Sequence, residues 1–69
     1  MWIKLTVIDE DGRRTEECPI NMNTIITYAP IKNEKYPEAR SVLYTNGVFI
    51  QTIPVIEKIE EIEAAIQGV

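Results

Sequence analysis

Asn46-Gly47 lies between two apolar-rich runs, Ser41-Val42-Leu43-Tyr44-Thr45 and Val48-Phe49-Ile50-Gln51-Thr52. An Asn-Gly pair tolerates positive φ at both positions, as a two-residue type I′ hairpin turn requires. A turn of that length predicts Thr45 opposite Val48, Tyr44 opposite Phe49 and Leu43 opposite Ile50. Leu43 and Ile50 then share one face, and Tyr44 and Phe49 the other. Both faces of this hairpin carry apolar groups, so the sheet it joins needs cover on two sides.

A helix is expected directly after the hairpin, from Pro54 or Val55, because proline suits a first helical turn whose N–H has no partner. Val55, Ile59, Ile62 and Ile66 follow at spacings of four, three and four, a narrow stripe at helical period. Glu57, Glu60 and Glu61 lie off the stripe, Gly68 is the expected stop, and Ile56 is left over as an edge or partner contact. Glu60 and Glu63 share the solvent side of this helix, where two carboxylates do no acid–base work.

The N-terminal third repeats the hairpin logic. Trp2 to Ile8 alternates, with Ile3, Leu5 and Val7 on one side and Lys4 and Thr6 on the other. Asp11-Gly12 marks a second turn. Two residues there set Leu5 opposite Cys18 and Ile3 opposite Ile20. Pro19 has no N–H to give a ladder, which makes this second strand an edge or breaks it. Asn21-Met22-Asn23 reads as a turn or bulge. Ile25 to Ala29 reads as a further strand, rich in β-branched residues and ended by Pro30. Residues 31–40 read as a surface loop. The expected fold is α+β: one domain over 1–69, a small antiparallel β-sheet of four to five strands with two hairpins, and one C-terminal amphipathic helix.

Such a chain is short of core. For 69 residues, area scaling leaves only about 60% of the unfolded surface buried on folding. The single cysteine forms no internal disulfide, and without histidine the composition offers no zinc set. Self-association as a dimer or higher oligomer is the remaining common route to stability, and a protein partner is the other. The free Cys18 suits a reducing compartment. No apolar run approaches the length of a membrane span and no signal peptide opens the chain, so a cytoplasmic protein is expected.

Candidate chemistry is sparse. Cys18 has no histidine to activate it and reads as a small apolar residue. Asp9-Glu10-Asp11-Gly12 has the opening of a calcium loop, yet Arg13 and Arg14 occupy the next positions. There is no phosphate-cradling glycine loop. The expectation is no catalytic residue, no metal, no cofactor and no enzyme. A net charge of −4 argues against a phosphate-binding surface, so nucleic acid is not the expected partner. Two alternatives stand beside protein–protein interaction. One is a nucleic-acid-binding regulator using a sheet face; the other is an acidic inhibitor that mimics nucleic-acid charge. Aromatics on an open sheet can stack bases, but no basic residues interleave with Tyr44 and Phe49. The candidate interface residues are therefore Tyr36, Tyr44, Phe49 and Ile56.

Several segments together resemble a known group. They are Ile3-Lys4-Leu5-Thr6, then Ile20-Asn21 followed by Ile25, then Ser41-Val42-Leu43-Tyr44-Thr45-Asn46-Gly47, and last Glu57-Lys58-Ile59. In these the chain is similar to the short FlbD-type proteins of flagellar and swarming operons, and to small prophage proteins of like outline. The resemblance implies a small bacterial or phage accessory protein and supplies no catalytic residues. The chain departs from that pattern by the Pro30–Arg40 insertion and by Pro54. A second likeness is to small RNA-binding carbon-storage regulators, which also run five strands and a C-terminal helix, but their basic RNA-contacting signature has no counterpart here.

Overall fold

The computed structural model describes residues 1–32, 34–47 and 51–68. Five strands form one antiparallel sheet: β1 (Trp2–Ile8), β2 (Arg14–Asn21), β3 (Ile25–Pro30), β4 (Ser41–Thr45) and β5 (Thr52–Val55). A 3₁₀ turn, Met22–Thr24, joins β2 to β3, and α1 (Ile59–Gln67) closes the chain. The order across the sheet is β2-β1-β5-β4-β3. The expected α+β class is what the chain adopts.

That order forces the sheet to curl. β2 and β3 are its two edges, yet only the 3₁₀ turn separates them. Edge strands of a flat five-stranded sheet would stand about 19 Å apart. The chain from Asn21 to Ile25 reaches about 14 Å at most. The sheet therefore bends round on itself, and its concave side holds the core: Ile3, Leu5, Ile20, Leu43, Val55 and Ile62. Ile62 comes from α1 and is 0% exposed, while Ile59, Ala65 and Ile66 pack beside it. Cys18 packs there too, half-buried and opposite Leu5.

The β1–β2 hairpin keeps its expected far register by a different route. Ile3 pairs with Ile20 and Leu5 with Cys18. The turn itself is not two residues. Asp9 N–H donates to Arg13 C=O at 2.9 Å and Gly12 N–H to Asp9 C=O at 2.9 Å, which leaves Glu10-Asp11-Gly12 as a three-residue loop. Gly12 sits at φ 80, the left-handed position such loops need. The extra residue shifts the register by one, to Val7↔Thr15 and Ile8↔Arg14. A bulge then shifts it back before Cys18, with Glu17 at φ 50. Nothing lies within 4 Å of a Cβ built on Gly12. Replacing it with alanine costs only the strain of the left-handed conformation, about 1–2 kcal/mol. A thermal melt of Gly12→Ala unchanged from the parent would contradict this loop.

The β4–β5 hairpin departs from the sequence reading. Leu43 lies opposite Ile53 and Tyr44 opposite Thr52, not Ile50 and Phe49. Thr45 N–H donates to Gln51 C=O at 2.9 Å, so Thr45 meets Gln51 and not the Val48 that a two-residue turn requires. Val48, Phe49 and Ile50 lie outside the described residues. The cause is long-range. β5 must pair with β1 on one side (Val7↔Val55) and β4 on the other (Ser41↔Val55). Ile53 and Val55, spaced two apart, then turn the same way into the curl. Pro54 is thus a strand residue opposite Val42, not a helix start, and Val55 belongs to the sheet rather than to the helical stripe. Thr45 and Gln51 form a hydrogen-bonded pair, so by alternation Val42 and Pro54 form a non-hydrogen-bonded one, where β4 asks for no N–H.

The helix starts at Ile59, later than expected, once the chain has left the sheet at Ile56 and Glu57. The Glu61 carboxylate accepts the Lys58 N–H at 3.2 Å, and Glu60 and Glu61 place negative charge in the first turn, as the helix dipole favours. Gly68 caps the C-terminus, its N–H donating to Ala64 C=O at 3.0 Å.

Candidate functional site: two ends of unlike chemistry

Strand pairing sorts the chain's turns to two opposite ends of the sheet. At one end lie the 9–13 turn, the 31–40 loop and the 56–58 link, beyond Ile8, Pro30, Ser41 and Val55. At the other lie the N-terminus, the 3₁₀ turn and Asn46, whose N–H donates to Thr24 C=O.

The loop end is polar and carries charges of both signs. Although mostly exposed, the 31–40 loop is anchored. Ala39 is 3% exposed, its N–H donates to Tyr36 C=O at 3.0 Å, and the Ile31 N–H donates to Arg40 C=O at 3.1 Å. The Arg40 N–H donates to Val55 C=O at 2.9 Å, which fixes the root of that arginine on the sheet. Arg14 Nε donates to Glu38 Oε2 at 2.8 Å and ties the loop to β2. That hydrogen bond first, and then Coulombic attraction to the same carboxylate, raises the Arg14 pKa. Both side chains are about half exposed, so the pair orients the loop more than it stabilises the fold. Lys35 Nζ lies 5.3 Å from the Tyr36 ring centre.

Four shallow depressions border this loop. Arg40 lines three of them and makes them one continuous surface. Arg14, Lys32, Lys35, Arg40 and Lys58 all border it, five of the chain's seven basic residues. Only Glu34, Glu38 and Glu60 of the eleven acidic residues do so. Asp9, Glu10 and Asp11 of the 9–13 turn and Glu57 of the 56–58 link lie at the same end, so the cations are a local feature of the surface around Arg40 and not of the whole end. Lys32, Lys35 and Arg40 come from the 31–40 loop, and Arg14 and Lys58 join them from β2 and the start of α1.

The opposite end mixes the polar turn residues Asn21, Asn23, Thr24 and Asn46 with exposed apolar side chains. Among the described residues, Met1, Trp2 and Ile26 are the exposed large hydrophobic ones, at 46%, 61% and 57%. All three flank the 3₁₀ turn. Trp2 stands opposite Asn21, Met1 C=O accepts the Met22 N–H at 2.9 Å, and Ile26 lies two residues beyond the turn.

The four candidate interface residues do not form one site. Tyr36 and Ile56, both half-buried, line neighbouring depressions that share Pro37 and Glu38. Tyr44 is half-buried on β4, toward the other end of the sheet. Phe49 lies outside the described residues. The sequence reading did not single out Arg40 or Ile26, which the structure exposes at these two ends. It held one usable signal for Ile26: the stretch Thr24 to Ile31 contains no charge.

Asp9, the first residue of the calcium-like run, is committed to the turn. Its Oδ1 accepts the Asp11 N–H at 2.9 Å and the Arg13 N–H at 2.8 Å. Among the described residues no group of three or more His, Cys, Asp or Glu gathers to hold a metal, and no helix is long and apolar enough to cross a membrane. Compared with protein-family models, with curated proteins and with solved structures, the chain has no match.

Proposed function

We propose that this protein is a small non-catalytic accessory module that acts by protein–protein interaction and self-associates through its apolar corner. The observation that carries this reading is the exposure of Met1, Trp2 and Ile26 on the strands that flank the 3₁₀ turn, Ile26 on an edge strand free of charge. β3 pairs only with β4, and its backbone edge lies next to those side chains. β2, the other edge, is blunted: Arg14, Glu16 and Glu17 are charged, Pro19 lacks an N–H and the Glu17 bulge twists it. A second copy is the natural cover, because the corner holds no carboxylate and so brings no acidic side chains together in a chain of −4. The likeness to short FlbD-type proteins is in keeping with an accessory role in a bacterial or phage-infected cytoplasm.

Light scattering after size exclusion, across a dilution series, tests the reading. The parent should run as a dimer or larger at micromolar concentration, with little change at high salt, as an apolar contact predicts. Ile26→Lys, at an exposed position, should return a folded monomer. A parent that is monomeric throughout would overturn self-association. An Ile26→Lys variant that stays oligomeric would move the contact elsewhere.

A further inference from the structure

We infer that the surface around Arg40 at the loop end is a second binding surface, and that it receives an acidic segment with interleaved apolar residues from a partner protein. The lining alternates in kind. Arg40, Lys58 and Lys32 are spaced among Pro30, Ile31, Pro37, Ile56 and Ile59. Among the described residues, none of these three cations forms an ion pair. Arg40 springs from backbone hydrogen-bonded to Val55, and Lys58 immediately precedes α1. The positions are therefore set before a ligand arrives, which reduces the ordering cost of binding. Isolated cations separated by apolar patches fit isolated carboxylates separated by apolar side chains.

A nucleic-acid backbone fits less well. It presents closely spaced phosphates, and Glu34, Glu38 and Glu60 stand among the cations it would track. Asp9, Glu10, Asp11 and Glu57 at the same end, and the carboxylates elsewhere, repel a long polyanion more than a short acidic segment. The surface lies at the opposite end from the apolar corner, so it stays open whether or not the protein self-associates.

The probe is a synthetic peptide of about twelve residues alternating Asp or Glu with Leu or Phe, a length at which an extended chain spans this end of the fold. Controls are the same peptide with Asn and Gln in place of the acids, and a single-stranded oligonucleotide of equal charge. Amide chemical shifts of the full chain are followed during titration. The acidic peptide should move Tyr36, Arg40, Ile56 and Lys58 and leave Trp2 and Ile26 still. Arg40→Glu should weaken binding by roughly tenfold or more, and Lys58→Glu should act alike, as reversal of a charge at a contact does. Both sites are exposed, and an unchanged melting curve confirms that each variant folds. Absence of shifts with the acidic peptide would overturn the inference, as would shifts at the apolar corner or equal binding by the Asn/Gln peptide. Tighter binding of the oligonucleotide would assign the surface to nucleic acid instead.

Discussion

Ile62→Ala should lower the unfolding free energy by about 2–5 kcal/mol, the range for a large-to-alanine change in a packed core. Ile62 is 0% exposed and is the fully buried residue of α1 within the central cluster of Ile3, Leu5, Ile20, Leu43 and Val55. It is also the plug of the curled sheet, so the hole it leaves is lined from several strands that cannot all close in. For a domain this small such a loss is a large part of total stability. Urea unfolding followed by circular dichroism measures it. Glu63→Ala, on the exposed side of the same helix, should move the midpoint little. Near-equal midpoints for the two variants would mean that α1 faces the sheet by another side.

Glu57→Ala should cost about 1–3 kcal/mol, the penalty for leaving a part-buried N–H without an acceptor. The Thr6 N–H donates to both carboxylate oxygens of Glu57, at 2.9 and 3.0 Å. The neighbouring Thr6 C=O accepts the Ile56 N–H at 3.1 Å. Thr6 thus faces the point where the chain turns out of the sheet, and a side chain stands in for the next ladder acceptor. Glu57→Gln keeps one acceptor oxygen and should lose less. The same urea series gives the energies, and amide exchange at Thr6 gives the cause. Exchange at Thr6 should quicken in Glu57→Ala. A Glu57→Ala protein with parental midpoint and parental Thr6 protection would show that this contact does not form in solution.

Local patterns along the chain carried the element types and little of the long-range pairing. The alternation of Trp2 to Ile8 and the phase of Ile20 and Cys18 placed the first hairpin, because both edges of that ladder are local. Pro19 correctly signalled an edge strand. The isoleucine spacing found α1 but gave it Val55, since a strand residue two places past Ile53 mimics a helical stripe. Asn46-Gly47 suggested a tight turn, but β5 needs partners on both sides, and Thr52–Val55 is what can reach them. That is a tertiary demand, which local turn chemistry does not encode. The two proposed surfaces were hidden for the same reason. The Arg40 surface draws its cations from β2, the loop and the helix start, and Glu57 meets Thr6 across 51 positions of sequence. Only Tyr36 and Ile56 were singled out for this end beforehand, one because it sits in a loop and one because it fell off the stripe.

The central claim is that the two ends of the sheet do different work, self-contact at the apolar corner and partner contact at Arg40. Hydrogen exchange of the protein alone, compared between dilute and concentrated solution, tests it most directly. The account predicts slower exchange on concentration at Trp2 and along Met22 to Ala29, with 35–40 and 56–58 unchanged. Concentration-dependent protection at 35–40 and 56–58, with none at Trp2 or Met22 to Ala29, would contradict it.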